Sequence, residues 1–196
     1  MNKSNINLHN YNQKSTLQEF IRVYENVLPD SMCDLIVDEY LNSQLWKPTV
    51  DSLNTRTCMT IPLSIKNVWE ENNYEKREKI DISLFNYIQK AVSLYYNQYE
   101  YFICKNDSGY DLLRYSEGEY CSEHIDSSYV QDARSLSCSL LLNDNYEGGE
   151  FCFFNEQLKY KLKKGSALMF PSNYMYPHKV LPVTRGVRYS IITWFF

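Results

Sequence analysis

Apolar and polar positions change their period once along the chain, near Tyr99. Before that point the pattern is mostly helical. Phe20–Leu28 alternates as a strand does. Asp30 then stands before Met32, Leu35, Ile36 and Tyr40, whose spacing predicts a capped helix. Residues 43–75 are polar and irregular, with Pro48, Pro62 and several Asn, and read as a loop or lid. Asp81 precedes a second helical stretch in which Leu84, Phe85, Ile88, Val92 and Tyr95 share one face.

After Tyr99 short strand-like runs follow one another: Tyr99–Cys104, Asp111–Ser116, Cys121–Asp126, Arg134–Leu142, Glu150–Phe154, Leu158–Leu162, Ala167–Phe170, His178–Val183 and Arg188–Phe196. Turn signals such as Asn106-Asp107-Ser108-Gly109, Gly148-Gly149 and Arg185-Gly186 separate them. Many short strands at this spacing predict a sandwich or barrel. Helices first and strands second predict a mainly β fold with helical support, about 16–98, packed on a β core, about 99–196. No break between the two reads as a linker, so 16–196 is expected to be one domain. Residues 1–15, polar and Asn-rich, read as a flexible tail.

Composition narrows the partners. The 196 residues carry a net charge of −4, which argues against a general nucleic-acid footprint. The longest apolar runs, Ser137–Leu142 and Ile191–Phe196, are far too short to span a bilayer. Met1–Gln13 has no apolar segment of the secretory kind. The expectation is therefore a cytoplasmic protein with no nucleic-acid or membrane partner, its six cysteines free thiols. No CxxC occurs, which disfavours a zinc ribbon.

The chemistry rests on scarce residues. There are 18 tyrosines but only three histidines, and His9 falls in the tail. His124 and Asp126 stand at i and i+2 of an expected strand, so both side chains point to one face. His178 lies on another strand, and its return to the same interior would complete a two-His-one-carboxylate set suited to non-haem Fe(II). Taken alone, His124 reads better as an ordinary surface or satisfied core histidine than as a ligand. Arg188 shares a face with Ser190, Ile192 and Trp194. Turned inward, an arginine in a β core needs an anion; turned outward, it is an edge charge in solvent.

From Leu113 to Phe196 the sequence resembles the Fe(II)- and 2-oxoglutarate-dependent dioxygenases of the prolyl 4-hydroxylase-like group. Five stretches carry the resemblance in order. They are Arg114 to Tyr120 leading to His124-Ile125-Asp126; Arg134 to Asn143; Tyr146-Glu147-Gly148-Gly149-Glu150-Phe151; Gly165 to Pro171; and His178-Lys179-Val180 followed by Gly186 to Ser190 and Thr193-Trp194. The resemblance implies a double-stranded β-helix, a cupin-like jelly-roll barrel with N-terminal helices packed on one sheet. It implies that His124, Asp126 and His178 hold Fe(II). It gives Arg188 the distal carboxylate of 2-oxoglutarate, assisted by Ser190, with Tyr115 reaching the same pocket.

By the same resemblance Trp194 lines the pocket near the metal. Leu141 falls where some relatives carry a second tyrosine, and is expected to be an apolar wall. Tyr129, in the polar segment 127–133, is a substrate-pocket candidate, although that segment reads more readily as a solvated loop. Fe(II), 2-oxoglutarate and O2 are the implied cofactors, with ascorbate as an accompanying one. The implied reaction hydroxylates a C–H bond of a prolyl or other peptide residue and releases succinate and CO2. A free amino acid or small metabolite is the rival substrate, and a non-catalytic cupin-like binding module the rival class. Asp126 in the ligand position disfavours a halogenase, and Trp194 stands where the nucleic-acid demethylases carry a second arginine.

Overall fold

The computed structural model describes residues 16–49, 56–64, 74–99, 102–127 and 134–196. The expected tail, parts of the expected lid and Tyr129 lie outside the described residues. The elements run β1 (Arg22–Tyr24), α1 (Asp30–Tyr40), β2 (Lys47–Pro48), β3 (Met59–Pro62), α2 (Tyr74–Gln98), β4 (Asp111–Tyr115), β5 (Cys121–His124), β6 (Leu136–Leu141), β7 (Glu147–Gly148), β8 (Phe151–Phe153), β9 (Leu158–Tyr160), β10 (Ala167–Pro171), β11 (His178–Val180), β12 (Val183–Arg185) and β13 (Arg188–Phe195).

A seven-stranded sheet has the order β1-β10-β6-β13-β4-β3-β2, and a four-stranded sheet the order β5-β11-β8-β9. Every pairing within them is antiparallel. Successive core strands alternate between the sheets: β4, β6, β10 and β13 in the larger, β5, β8 and β11 in the smaller. This alternation is the double-stranded β-helix, a jelly roll, as expected.

Strand alternation divides the apolar residues between two cores. Leu112, Leu136, Cys138, Leu140, Met169 and Ile191 face the helices and pack with Ile36, Leu84, Ile88 and Tyr95. Their strand neighbours Leu113, Tyr115, Leu141, Leu168 and Phe170 face the smaller sheet and pack with Phe151, Phe153 and Val180. With both faces covered, all six residues of β6 are buried, which is why Ser137–Leu142 reads as a continuous run.

The helices depart from the expected pattern. Asp30 is the first residue of α1 and Pro29, held extended at φ −67°, is its N-cap, so no side chain caps the helix. The buried positions are Cys33, Ile36 and Tyr40, while Leu35 points outward. α2 is described from Tyr74, and Asp81 lies inside it. Its first turns, Glu-Lys-Arg-Glu-Lys, favour helix by propensity but contain no apolar period to mark it. Phe85 is exposed, and Ile80, Leu84, Ile88, Ala91 and Tyr95 form the buried face.

The expected strand 20–28 shortens to β1, and no strand covers the described part of 99–104. The expected loop 43–75 contributes β2 and β3, which extend the larger sheet beyond β4. Among the described residues no helix is long and apolar enough to cross a membrane.

Candidate metal centre

β5 and β11 pair so that His178 lies opposite His124, with ring centroids 4.3 Å apart. β5 ends at His124, so Asp126 stands in the bend that follows and not in the strand. That bend turns its carboxylate back between the imidazoles. Oδ1 is 3.5 Å from His124 Nε2 and Oδ2 is 3.4 Å from His178 Nε2. The three ligand atoms all lie within 4.8 Å of one another.

Backbone carbonyls set both rings. His124 Nδ1 donates to Ser122 O at 2.9 Å, and His178 Nδ1 to Tyr176 O at 3.0 Å. A carbonyl only accepts, so each Nδ1 carries a proton and each Nε2 faces Asp126. Phe151 stacks on His178, and Phe170 meets it edge-on.

Charge is tightly matched here. Burial would push the Asp126 carboxyl up, but His178, His124 and Ser137 hold it well below the usual carboxylate range. Burial lowers His178 to about 4 against the pull of Asp126. Burial also opposes charge on His124, yet hydrogen bonding to Asp126 and Cys121 lifts it to about 10. A proton and a cation therefore compete for His124 Nε2.

The triad closes one side of a small cavity of about 30 Å³. Arg188, Ser190, Ile192 and Trp194 all line it, so β13 presents the expected face inward. Arg188 is fully buried opposite Tyr115, and its Nη1 donates to Ser190 Oγ at 2.8 Å. Among the described residues its Nε has no hydrogen-bond partner. A buried guanidinium with an idle donor fits an anionic ligand. Burial pushes the Tyr115 phenol well above its ordinary pKa, so its hydroxyl stays a neutral donor. Leu141 is buried in the inter-sheet core but is not among the cavity-lining residues; Ser137, Cys138 and Ser139 of β6 are.

The cavity's open side holds residues that sequence reasoning missed. Arg56 Nη2 lies 3.3 Å from His124 Nε2 and 3.9 Å from Asp126 Oδ1. Arg134 donates to Asp126 O at 3.2 Å, and its guanidinium lies 3.7 Å from the Trp194 ring centre. Arg56 faces the same indole at 5.9 Å. No sequence period marks Arg56. The signal for Ser137 was available: it and Ser139 are polar at the inward positions of an otherwise apolar strand.

Residues 110–196 match the model of the 2OG-Fe(II) oxygenase superfamily. Over this stretch, less than half of the chain, the sequence is similar to that superfamily. The matched segment includes His124, Asp126 and His178 as well as Tyr115, Arg188, Ser190 and Trp194. A PKHD-type hydroxylase of Idiomarina loihiensis is 37% identical over 88 residues, covering 42% of this chain and 39% of the relative. Another, from Acaryochloris marina, is 38% identical over 86 residues, covering 41% and 38%. The chain spans about two fifths of the length of these curated relatives.

Among solved structures, a Trichoplax adhaerens prolyl hydroxylase in complex with a hypoxia inducible factor peptide fragment superposes with TM-score 0.72 at 20% identity, over 97% of this chain and 86% of that one. A viral collagen prolyl hydroxylase from Paramecium bursaria Chlorella virus-1, in a 2OG complex, gives 0.66 at 21% identity, over 90% and 95%. These likenesses place the whole described chain, helices included, in the prolyl hydroxylase fold. Two imidazole nitrogens and one carboxylate fit the Fe(II) that the family name carries, and the idle Arg188 donor fits a 2-oxoglutarate carboxylate.

Proposed function

We propose that this chain is an Fe(II)- and 2-oxoglutarate-dependent hydroxylase acting on a prolyl or other peptide residue, with residues 16–196 working as one domain. One observation carries the reading. Three ligand atoms within 4.8 Å of one another share a cavity with a buried arginine whose Nε has no partner.

In this reading His124 Nε2, His178 Nε2 and the Asp126 carboxylate hold Fe(II). Arg188 and Ser190 bind the far carboxylate of 2-oxoglutarate, and the neutral Tyr115 hydroxyl donates beside them. When bound, these cofactors with O2 supply the oxidising power for C–H hydroxylation, with succinate and CO2 as by-products and ascorbate as an auxiliary reductant. The chain's own share is placement. Phe151, Phe170, Val180 and Ile192 line the cavity with apolar surface and exclude water from the reacting groups. Arg134 and Arg56 flank Trp194 on the open side, where guanidinium donors and an indole face suit a peptide's carbonyls and side chains. The peptide-bound Trichoplax neighbour supports that choice of substrate.

The test is succinate production by the full chain with Fe(II), 2-oxoglutarate, O2 and parallel panels of proline-containing peptides and free amino acids. Turnover stimulated by peptides is expected. Stimulation by free amino acids alone would replace the substrate class. No succinate with any addition would overturn the enzymatic reading.

A further inference from the structure

Asp126 is held by a pair of serines that the cofactor chemistry does not itself require. Ser137 Oγ donates to Asp126 Oδ2 at 2.6 Å, and Ser137 Oγ and Ser172 Oγ are 2.8 Å apart. Ser137 has one hydroxyl proton, and the carboxylate takes it. The proton between the two serines must therefore come from Ser172. The chain of donors runs Ser172 to Ser137 to Asp126, each link polarising the next. Both serines are buried, at 2% and 1% exposure, and Ser137 stands in register between Phe170 and Trp194.

Ser172 is itself anchored. Its backbone N–H donates to Ser135 O, and its carbonyl accepts from Ser127 N, next to Asp126. Four residues on, Tyr176 O receives the His178 Nδ1 proton. The turn 172–176 thus supports two ligands at once, one through a hydroxyl pair and one through a carbonyl. It is pinned internally by Asn173, whose side-chain oxygen accepts from Met175 N and whose carbonyl accepts from Tyr176 N.

We infer that Ser137 and Ser172 are positioning residues for the Asp126 ligand, and that the Ser172–Ser137 relay sets the affinity and ligand field of the metal centre. The inference rests on the metal-centre reading above. Donation from Ser137 occupies one lone-pair site of Oδ2 and fixes the carboxylate's rotation, so the ligand set meets the ion already oriented. Without it, the carboxylate keeps its charge but loses the restraint on its torsion.

The experiment is anaerobic titration of the full chain with Co(II), read by calorimetry and by the visible d–d absorption of the bound ion. The variants are Ser137→Ala, Ser137→Thr and Ser172→Ala. Ser137→Ala should weaken Co(II) about 10–100-fold and alter the d–d band, at an unchanged far-UV spectrum. Ser137→Thr keeps the hydroxyl and should restore both. Ser172→Ala, acting through Ser137, should give a smaller loss in the same direction. Wild-type affinity and band in folded Ser137→Ala would overturn the inference while leaving the metal centre standing. Should Ser137→Ala not fold, unchanged Co(II) affinity in Ser172→Ala overturns it equally. A wild-type chain that binds no Co(II) would sink the metal-centre reading and this inference together.

Discussion

His178 faces His124 across the β5–β11 pair, yet the two imidazoles have opposite proton preferences. Both rings are oriented by the carbonyl two residues upstream. They differ in burial: His178 is enclosed by Phe151, Phe153 and Phe170, whereas the His124 side chain retains 14% exposure beside Cys121 and Arg56. One histidine is thus built into the aromatic floor, and the other stands at the cavity's open side.

That asymmetry makes His124 the better ligand to remove. His124→Ala should abolish uncoupled succinate formation and weaken Co(II) binding by more than about 100-fold, beyond the range typical of outer-sphere partners. Because the ring partners the buried Asp126 carboxylate, the metal-free variant should also unfold at a lower temperature than wild type at neutral pH while keeping its far-UV spectrum. Retained metal-dependent turnover would remove His124 from the centre.

Metal affinity should rise with pH. Any proton on His124 Nε2 must leave before a cation binds, and its pKa is raised to about 10, so acid strengthens the competitor. His178, lowered to about 4, is already neutral at neutral pH and adds no slope there. Between about pH 6 and 9 the Co(II) affinity should climb about tenfold per pH unit, with release of about one proton per ion. Calorimetry in buffers of different ionisation enthalpy counts that proton, and an affinity flat with pH would contradict the assignment.

Arg188 should govern the cosubstrate and leave the metal alone. Removing one partner of a buried, hydrogen-bonded charge pair costs about 2–5 kcal/mol, so Arg188→Ala should weaken 2-oxoglutarate by at least about 30-fold. Arg188→Lys keeps the charge but loses the fork of donors and should fall between. Binding measured on the Co(II)-loaded protein separates the effects. A metal affinity that drops as far as the 2-oxoglutarate affinity would mean that Arg188 supports the ligands instead.

On the open side, Arg134→Ala should raise the KM of a stimulating peptide while uncoupled turnover of 2-oxoglutarate persists. The guanidinium stacks on Trp194 outside the ligand set, although it also donates to the Asp126 carbonyl. Loss of uncoupled turnover in step with peptide-stimulated turnover would assign Arg134 to the metal centre and not to the substrate.

The parts of this site that were legible in the sequence are those governed by local period. Arg188, Ser190, Ile192 and Trp194 by twos reach one cavity because strand alternation is a local rule, whereas Asp126 joins His124 there through the bend after β5. The first turns of α2 were lost because they are charged and carry no apolar stripe. Arg56, Arg134 and Ser172 were lost for a different reason. Their roles come from tertiary proximity to Asp126 and Trp194, which no spacing encodes. Leu141 shows the limit of alternation itself. It faces the inner side opposite Ser190, but it packs in the inter-sheet core and does not line the cavity.

Gly149 tests how closely the turn before β8 is fitted to the arginine. Its φ is +65°, and a Cβ there would lie 3.1 Å from Arg188 Cδ, 3.1 Å from Tyr146 Cε2 and 3.2 Å from Val183 Cγ2. Gly118 has a similar φ of +82°, but a Cβ there would meet nothing within 4 Å. The backbone penalty of a left-handed alanine, roughly 1–2 kcal/mol, should therefore appear in both Gly149→Ala and Gly118→Ala. Only Gly149→Ala should also displace the Arg188 stem and weaken 2-oxoglutarate. Because the contact is with the arginine and not with the imidazoles, Co(II) affinity should hold in both variants. Equal 2-oxoglutarate affinities in the two, measured on Co(II)-loaded protein, would show that Gly149 serves the turn alone and that Arg188 has room to spare.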